Sequence, residues 1–392
     1  MGKIINVMVF SISALFFALL EYSSWSSQTS YNPVKPVYRI SRTGGYPSWN
    51  ESGLKRLSTL IQKRLYTLQN PSDCAKARKI VCNFNTRCGF GCQAHHVSYC
   101  MIMAYGTGRT LVLQSKGWDY DKEGWEKFFQ PLSETCRDPT GVTRGKWTTP
   151  DKNENFQVLA LPLAGYLTED LKPDFLPLAI PADIADELRR FHSNPSIWWI
   201  GEIMTYIMRP KNHTTDFIDK AMAGLGFTHP IVGIHVRRTD KLIWEAKFHG
   251  IEEYMVHAID FYEDYERREG YIGKRRIFMA TDDVGLLDEA RKKYPDYMFL
   301  SDRTITESAQ TSSRLSAGSL QGIIIDIHLL AFSDFLVCTF SSNVCRLAYE
   351  MMQHYHVDAS SKAHSVDDPY HWHGQKANSS GKAVMMPLPT ST

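Results

Sequence analysis

Residues 231–241 read Ile-Val-Gly-Ile-His-Val-Arg-Arg-Thr-Asp-Lys, an apolar run that ends in a burst of charge. An apolar stretch of this kind, without strand-type alternation, fits a strand buried on both faces, and such strands belong to parallel sheets covered by helices. In an open α/β sheet, ligands sit beyond the carboxyl ends of the strands. The reading of Ile231–Val236 as a strand therefore places His235, Arg237, Arg238, Asp240 and Lys241 at a ligand-binding edge. Two adjacent guanidiniums suit a diphosphate there, because each presents a fixed fork of donors and keeps its charge. The plainer reading of the same string is an ion-paired strand end.

The pattern outward from this strand is regular. Helix 216–225 precedes it, and helix 252–269, strand 277–280, helix 284–293, strand 297–300, helix 320–332, strand 335–338 and helix 343–354 follow. Strands alternating with helices predict a doubly wound parallel sheet. Upstream, Leu54, Leu57, Leu60, Ile61, Leu65 and Leu68 recur at helical spacing, 110–113 and 158–162 read as strands, and 182–191 and 196–208 read as helices. With 392 residues, 43% of them apolar, the chain is long enough for two domains. The expected organisation is a cytosolic tip and anchor over 1–20, a stem over 21–50, an open-sheet α/β domain with a cysteine cluster over 51–215, a Rossmann-type domain over 216–375, and a polar tail over 376–392.

Charge excludes one class of partner. The net charge is +2, with 44 basic against 42 acidic residues, whereas nucleic-acid binding requires a concentrated basic face. The N-terminus points to a location. Ile4 to Leu20 is near-continuously apolar, with Lys3 before it and Glu21 after it. Such a run sits at the short limit for a spanning helix, and Lys3 favours a cytosolic N-terminus with a luminal body. A cleaved signal peptide, with Ser23, Ser24, Ser26 and Ser27 near the processing site, is the alternative. Either way the body meets an oxidising compartment, and the 8 cysteines of the chain suit disulfides there. Zinc is the rival reading for the cluster between Cys74 and Cys100, although no C-x-x-C pair is present. Asn50, Asn212 and Asn378 head glycosylation sequons.

Several constellations carry chemistry. Thr281-Asp282-Asp283 puts carboxylates beyond strand 277–280, although Asp-Asp after a strand is also an ordinary helix cap. Asp326 lies within Ile323-Ile324-Ile325-Asp326-Ile327, and a carboxylate amid so much apolar surface needs partners. A guanine base offers two donors, N1–H and the 2-amino group, and a structural arginine is the alternative. Thr339-Phe340-Ser341-Ser342-Asn343 joins the last strand to the last helix, a ready anion site with capping hydroxyls, flanked by Cys338 and Cys345. Cys88-Gly89-Phe90-Gly91-Cys92 is a compact glycine loop that permits close backbone approach to a ligand. Glu245, four residues beyond Lys241, is a candidate general base toward a sugar hydroxyl, with a surface Glu–Lys pair as the alternative. Asp119-Tyr120-Asp121 is similar to the D-x-D metal motif of many glycosyltransferases, but the two arginines already supply cations for a diphosphate.

Taken together, these stretches resemble one family, the α1,6-fucosyltransferases that core-fucosylate N-glycans. The resemblance rests on GIHVRRTDK at 233–241, FHGIEEYMVH at 248–257, ATDD at 280–283, DIHLLAFSDFLVCTFSSNVCRLAYEMMQ at 326–353 and CNFNTRCGFGCQAHHVSYC at 82–100, and extends from about Leu54 to Gln375. It implies a GT-B-like fold with an open-sheet domain beside a Rossmann-type one. It implies an inverting transferase that uses GDP-fucose as donor and needs no metal or other cofactor. Arg237 and Arg238 would bind the diphosphate, with Ser342, Asn343 and the Gly89/Gly91 loop assisting. Asp326, His235 and Tyr120 would hold guanine, Glu245 would be the base supported by Lys241, and Asp240, Tyr254, Asp282, Asp283, Asp367 and Asp368 would lie on the acceptor side. The resemblance further implies the disulfides Cys74–Cys136, Cys82–Cys100, Cys88–Cys92 and Cys338–Cys345. N-glycoproteins would be the acceptors, a homodimer is the assembly to test, and the location would be the Golgi membrane as a single-pass type II protein. The chain departs from the family in three ways. Residues 21–50 are too few for the family's coiled-coil stem, the chain stops at Thr392 without the family's Src-homology-type barrel, and Asn343 stands where Gln is usual. Two other readings stay open: a fucosyltransferase with a different acceptor, such as a chitin-type oligosaccharide or a protein hydroxyl, and an inactive sugar-binding homologue.

Overall fold

Leu54, Leu57, Ile61, Leu65 and Leu68 form the buried stripe of the first described helix, α1 (Trp49–Gln69), as their spacing predicts. The computed structural model describes residues 49–84, 88–238, 247–310 and 315–388, with 49 and 50 described by backbone alone. The apolar run 4–20, the stem 21–48 and the segment carrying Asp240, Lys241 and Glu245 lie outside the described residues. Among the described residues no helix is long and apolar enough to cross a membrane.

The first half of the chain builds a parallel sheet from β1 (Lys79–Asn83), β2 (Thr110–Gln114), β3 (Arg144–Lys146) and β4 (Val158–Ala160), in the order β2-β1-β4-β3. Helix α2 (Phe90–Gly106) connects β1 to β2 and is a feature the sequence pattern did not predict. Phe90 through Tyr105 are buried almost without a break, so the helix has no polar face to set a period. The glycine loop expected at 88–92 is in part the first turn of this helix, whose N-cap is Gly89. The short helix α3 (Pro150–Asn153) lies between β3 and β4. The short strand β5 (Ile180–Pro181) and helices α4 (Ala182–Phe191) and α5 (Pro195–Ile207) follow. At α5, Pro195 occupies the first turn and the Asn194 side chain accepts from Ile197 N, a standard helix start.

The second half forms the doubly wound sheet that the alternation predicts. Helix α6 (Asn212–Leu225) starts a turn earlier than the expected Asp216 and ends at Gly226, whose φ of 65° is the left-handed value a helix C-terminus favours. Then come β6 (Ile231–Val236), α7 (Ile251–Glu269), β7 (Arg275–Thr281), α8 (Leu286–Lys293), β8 (Tyr297–Leu300), α9 (Arg303–Ser308), α10 (Ala317–Phe332), β9 (Phe335–Cys338), α11 (Asn343–Tyr355) and β10 (Ala363–Ser365). Helix α10 starts ahead of the expected Leu320 because Ser316 caps it, accepting from Ser319 N. The strand order is β10-β9-β6-β7-β8, all parallel, and β6 is buried along its whole length. Val232, Ile234 and Val236 pack with Tyr254, Met255, Ala258 and Tyr262 of α7 and Leu286 and Ala290 of α8, while α10 covers β6 and β7 as well. Within the tail, β11 (Ala383–Val384) pairs with β5, so the tail returns to the chain just ahead of α4.

Helix α11 packs on α5 and α2 of the first half. The loop that opens α11 is thereby set against the start of α2, and this seam positions the candidate site.

Candidate active site

The carboxyl edge of the five-stranded sheet gathers the charged residues. The chain runs from β6 to β7 to β8 in one direction, then crosses to β9 on the other side of β6. The gap between the ends of β6 and β9 is thus the switch point, where an open α/β sheet leaves a crevice for ligand. His235 is 5% exposed near the end of β6, opposite Ala280 in register, with Arg237 and Arg238 just beyond it.

Both arginines are oriented by carboxylates beyond β7. Asp282 accepts from Arg238 N at 2.8 Å through Oδ1 and pairs with Arg237 Nη1 at 3.3 Å through Oδ2. Its side chain is only 1% exposed, so Asp282, expected to line the glycan side, instead lies beneath the arginine pair. Arg238 Nη1 reaches Asp283 at 3.1 Å and Glu289 at 3.2 Å, Nη2 donates to the His249 carbonyl at 3.2 Å, and the guanidinium stacks 4.6 Å from the Phe248 ring centre. Phe248 and His249 open the string 248–257 that carries the resemblance but have no role assigned from sequence, and Glu289 is marked by tertiary contact alone. Asp283 does not act as a helix cap either: the N-cap of α8 is Gly285, whose N–H donates to Asp283 Oδ1.

Across the switch point, Ser342 is the N-cap of α11 and is 3% exposed. The expected capping hydroxyl is absent, for the Ser342 side chain makes no cap hydrogen bond. The Asn343 side-chain oxygen Oδ1 accepts from Arg346 Nη2 at 2.6 Å, and Arg346 Nη1 also donates to the Phe340 carbonyl at 2.7 Å. Asp367, just past β10, accepts from Ser341 N at 3.4 Å, Ser365 Oγ at 2.8 Å and Asp368 N at 2.6 Å. Burial raises its pKa, but these hydrogen bonds outweigh burial and hold it below the ordinary carboxylate range. Tyr254, 1% exposed in the core, feels the charges of Asp367, Arg238 and Asp282, and burial pushes its hydroxyl well above the phenol range.

The glycine segment meets this edge from the other half. A Cβ on Gly91 would stand 2.9 Å from the Asn343 carbonyl carbon and 3.0 Å from Val344 N, so only glycine fits the seam. Tyr120, 4% exposed, accepts from Phe90 N at 3.0 Å and stacks edge-on with Trp118. It is thus placed beside the glycine segment. Asp119 is exposed, and Asp121 is engaged by Glu123 N at 2.9 Å. Among the described residues, the one set with metal-ligand spacing is Cys82, His96 and Cys100. Its two sulfurs are joined to each other, and the cysteines pair as Cys74–Cys136, Cys82–Cys100, Cys88–Cys92 and Cys338–Cys345. The zinc reading of the cluster is thereby corrected, since a disulfide sulfur is not a thiolate ligand.

Asp326 sits on α10, 8% exposed and flanked by Ile324, Ile325 and Ile327. No hydrogen bond reaches it among the described residues. Burial and the neighbouring Asp302 raise its pKa well above the ordinary aspartate value. Among the described residues no arginine pairs with it, and a carboxylate in this setting suits a ligand with paired N–H donors.

A family model described as alpha-(1,6)-fucosyltransferase N- and catalytic domains matches residues 22–371. The chain belongs to this family. A Drosophila melanogaster protein named alpha-(1,6)-fucosyltransferase is 48% identical over 345 residues, covering 88% of this chain and 55% of that protein. A Caenorhabditis elegans protein of the same name is 40% identical over 323 residues, covering 81% of this chain and 57% of that protein. The chain thus spans about half the length of the curated relatives it matches. A crystal structure of the alpha-1,6-fucosyltransferase NodZ soaked with GDP-fucose is similar with a TM-score of 0.43 at 16% identity, covering 70% of this chain and 93% of that one. Within the fucosyltransferase family, the residues this chain brings to one edge are Arg237, Arg238, Asp282, Asp283, Ser342, Asn343, Asp367 and Gly91.

Proposed function

We propose that this protein is an inverting glycosyltransferase that moves fucose from GDP-fucose to the 6-hydroxyl of the innermost GlcNAc of N-glycans. The observation that carries the reading is the tandem of Arg237 and Arg238 at the switch point, in a chain that belongs to the alpha-(1,6)-fucosyltransferase family. On this reading the two sheets are the cores of the two halves of a GT-B-like enzyme. The arginines offset charge on the departing diphosphate, which is transition-state stabilisation by fixed cations. Asp326 recognises guanine. Glu245, supported by Lys241, takes the proton from the acceptor hydroxyl, and Asp240, Asp283 and Asp368 face the acceptor. The apolar run at 4–20 behind Lys3, together with four disulfides, supports a type II Golgi protein with a luminal body.

Incubation of the protein with GDP-fucose and a panel of core-unfucosylated N-glycans, read by mass spectrometry, should show a single added fucose on the innermost GlcNAc. Transfer only to chitin-type oligosaccharides or to protein hydroxyls would shift the acceptor assignment. GDP binding without any transfer would favour a sugar-binding homologue. The reaction is expected to proceed in EDTA, because the arginines hold the cationic role. Loss of activity on chelation, restored by manganese, would return Asp119 and Asp121 to consideration as ligands.

Glu245→Gln should lower turnover by about a hundredfold while GDP affinity, measured by calorimetry, changes only a few-fold. The amide keeps the shape of the side chain but accepts no proton. If Glu245 is instead part of a surface pair worth ~0–1 kcal/mol, neither quantity will move, and Asp283 becomes the next candidate.

A further inference from the structure

The seam between Gly91 and Asn343 is crossed just below by a buried polar bridge. His95 lies one turn after Gly91 on α2 and is 5% exposed. Its Nδ1 is 2.6 Å from the Gly91 carbonyl, which only accepts, so Nδ1 carries a proton, and a hydrogen bond at Nε2 requires a second one, on the ring or on the carboxyl it meets. Its Nε2 is 3.1 Å from Glu350 Oε1 on α11, a side chain with no exposed surface. The same oxygen accepts from the Tyr370 hydroxyl at 2.6 Å. Burial and Glu350 hold that hydroxyl well above the phenol range, so it stays a donor. The disulfides near the seam, Cys88–Cys92 and Cys338–Cys345, each staple one side of it and do not cross.

We propose that His95 is a positioning residue that, through Glu350 and Tyr370, holds the Gly89–Gly91 segment against the first turn of α11 and thereby sets the width of the donor diphosphate site. The inference rests on the reading that this seam borders GDP-fucose. A polar bridge is well suited to the task because its length is fixed by hydrogen-bond geometry, whereas apolar packing tolerates small slips. Buried groups of this kind are also costly to leave half-paired, so the bridge resists opening.

The test uses GDP binding by calorimetry, with steady-state kinetics in donor and in acceptor. His95→Ala should weaken GDP about tenfold, the effect of one lost hydrogen bond at ~1.4 kcal/mol, and raise the donor KM alike. The acceptor KM and kcat at saturating donor should stay within about threefold. Glu350→Gln should keep GDP affinity within about threefold, because the amide retains one of the two contacts that Oε1 makes, to Nε2 or to the Tyr370 hydroxyl. Gly91→Ala widens the same gap from the backbone side, so the double variant with His95→Ala should lose less than the product of the two single losses. Should His95→Ala fail to fold, Tyr370→Phe removes only the hydroxyl that seats Glu350, and about threefold weaker GDP binding is expected. GDP affinity within twofold of wild type in the folded variant, or single losses that multiply in the double one, overturns the proposal. So does a fall of kcat together with both KM effects, which is what general loosening would give. Arg237→Ala in the same assay separates the two levels. If it loses GDP while His95→Ala does not, only the positioning role fails. If Arg237→Ala binds GDP normally, the donor-site reading fails and the positioning role fails with it.

Discussion

Arg237→Ala is expected to lower kcat/KM with GDP-fucose by about a hundredfold or more, the usual cost of removing a fixed group that stabilises transition-state charge. The guanidinium stands at the end of β6, aimed by the buried Asp282 carboxylate at 3.3 Å, and Asp282 is itself held by Arg238 N at 2.8 Å. This arrangement preorganises the cation, so no reorientation is needed as the diphosphate departs. Arg237→Lys keeps the charge but loses the planar fork, so an intermediate loss of about tenfold is expected. Steady-state kinetics at saturating donor will decide, and turnover near the wild-type rate removes Arg237 from the mechanism. The neighbouring arginine should behave differently. Arg238 ties Asp283, Glu289 and the His249 carbonyl together under the Phe248 ring. Arg238→Ala leaves two part-buried carboxylates without their shared cation and should lower the melting temperature as well as activity. Arg237→Ala also takes a cation from the buried Asp282, which keeps its hydrogen bond from Arg238 N, so some fall in melting temperature is expected there too and the two variants are told apart by kinetics of the folded protein.

Much of this edge was legible in the chain. The run Ile231–Val236 had one reasonable fate, a doubly buried strand, and the helices and strands expected after it fell within about a turn of their bounds, whereas the short α9 and β10 had no period long enough to show. The first half was harder for a physical reason. Helix α2 is buried on all sides, so its sequence carries no 3.6-residue signal and its start reads as a glycine loop. Strand β1 was likewise hidden in the cysteine cluster. At the site, sequence identified charged residues next to strand ends but not their mutual roles. Asp282 reads as a ligand-facing acid and proves to be the support of two arginines, a distinction set by burial alone. His95 and Glu350 were not singled out, since their bridge joins residues 255 positions apart. Glu350 did carry a usable signal, a carboxylate within the largely buried stretch Leu347–Gln353, of the same kind that drew attention to Asp326.

Asp326→Asn should do two opposite things, and their combination is what makes the test sharp. The first is a loss of guanine recognition. A carboxylate can accept N1–H and the 2-amino group of guanine together, and hydrogen bonds to a charged group are worth ~1.5–3 kcal/mol each. Wild type should therefore bind GDP about tenfold or more tightly than inosine diphosphate, which lacks the 2-amino donor, and Asp326→Asn should bind both weakly with little preference. The second is a gain in stability. The folded-state pKa of Asp326 is raised by burial and by Asp302, and no hydrogen bond among the described residues offsets that. In the unfolded chain the group ionises near the ordinary value of ~3.9. Below that pH both states are protonated and the site costs nothing. As pH rises above it, the unfolded state releases a proton that the folded state retains, and each pH unit lowers stability by ~1.4 kcal/mol until the folded pKa is passed. The amide has no such ionisation. Melting curves should therefore show Asp326→Asn more stable than wild type at pH 7 by about 2 °C or more, with the difference closing toward pH 4. A variant that loses guanine preference and melts lower than wild type at pH 7 would mean that Asp326 has a structural partner. One that melts higher yet still prefers GDP would move guanine recognition elsewhere, with His235 the next residue to change.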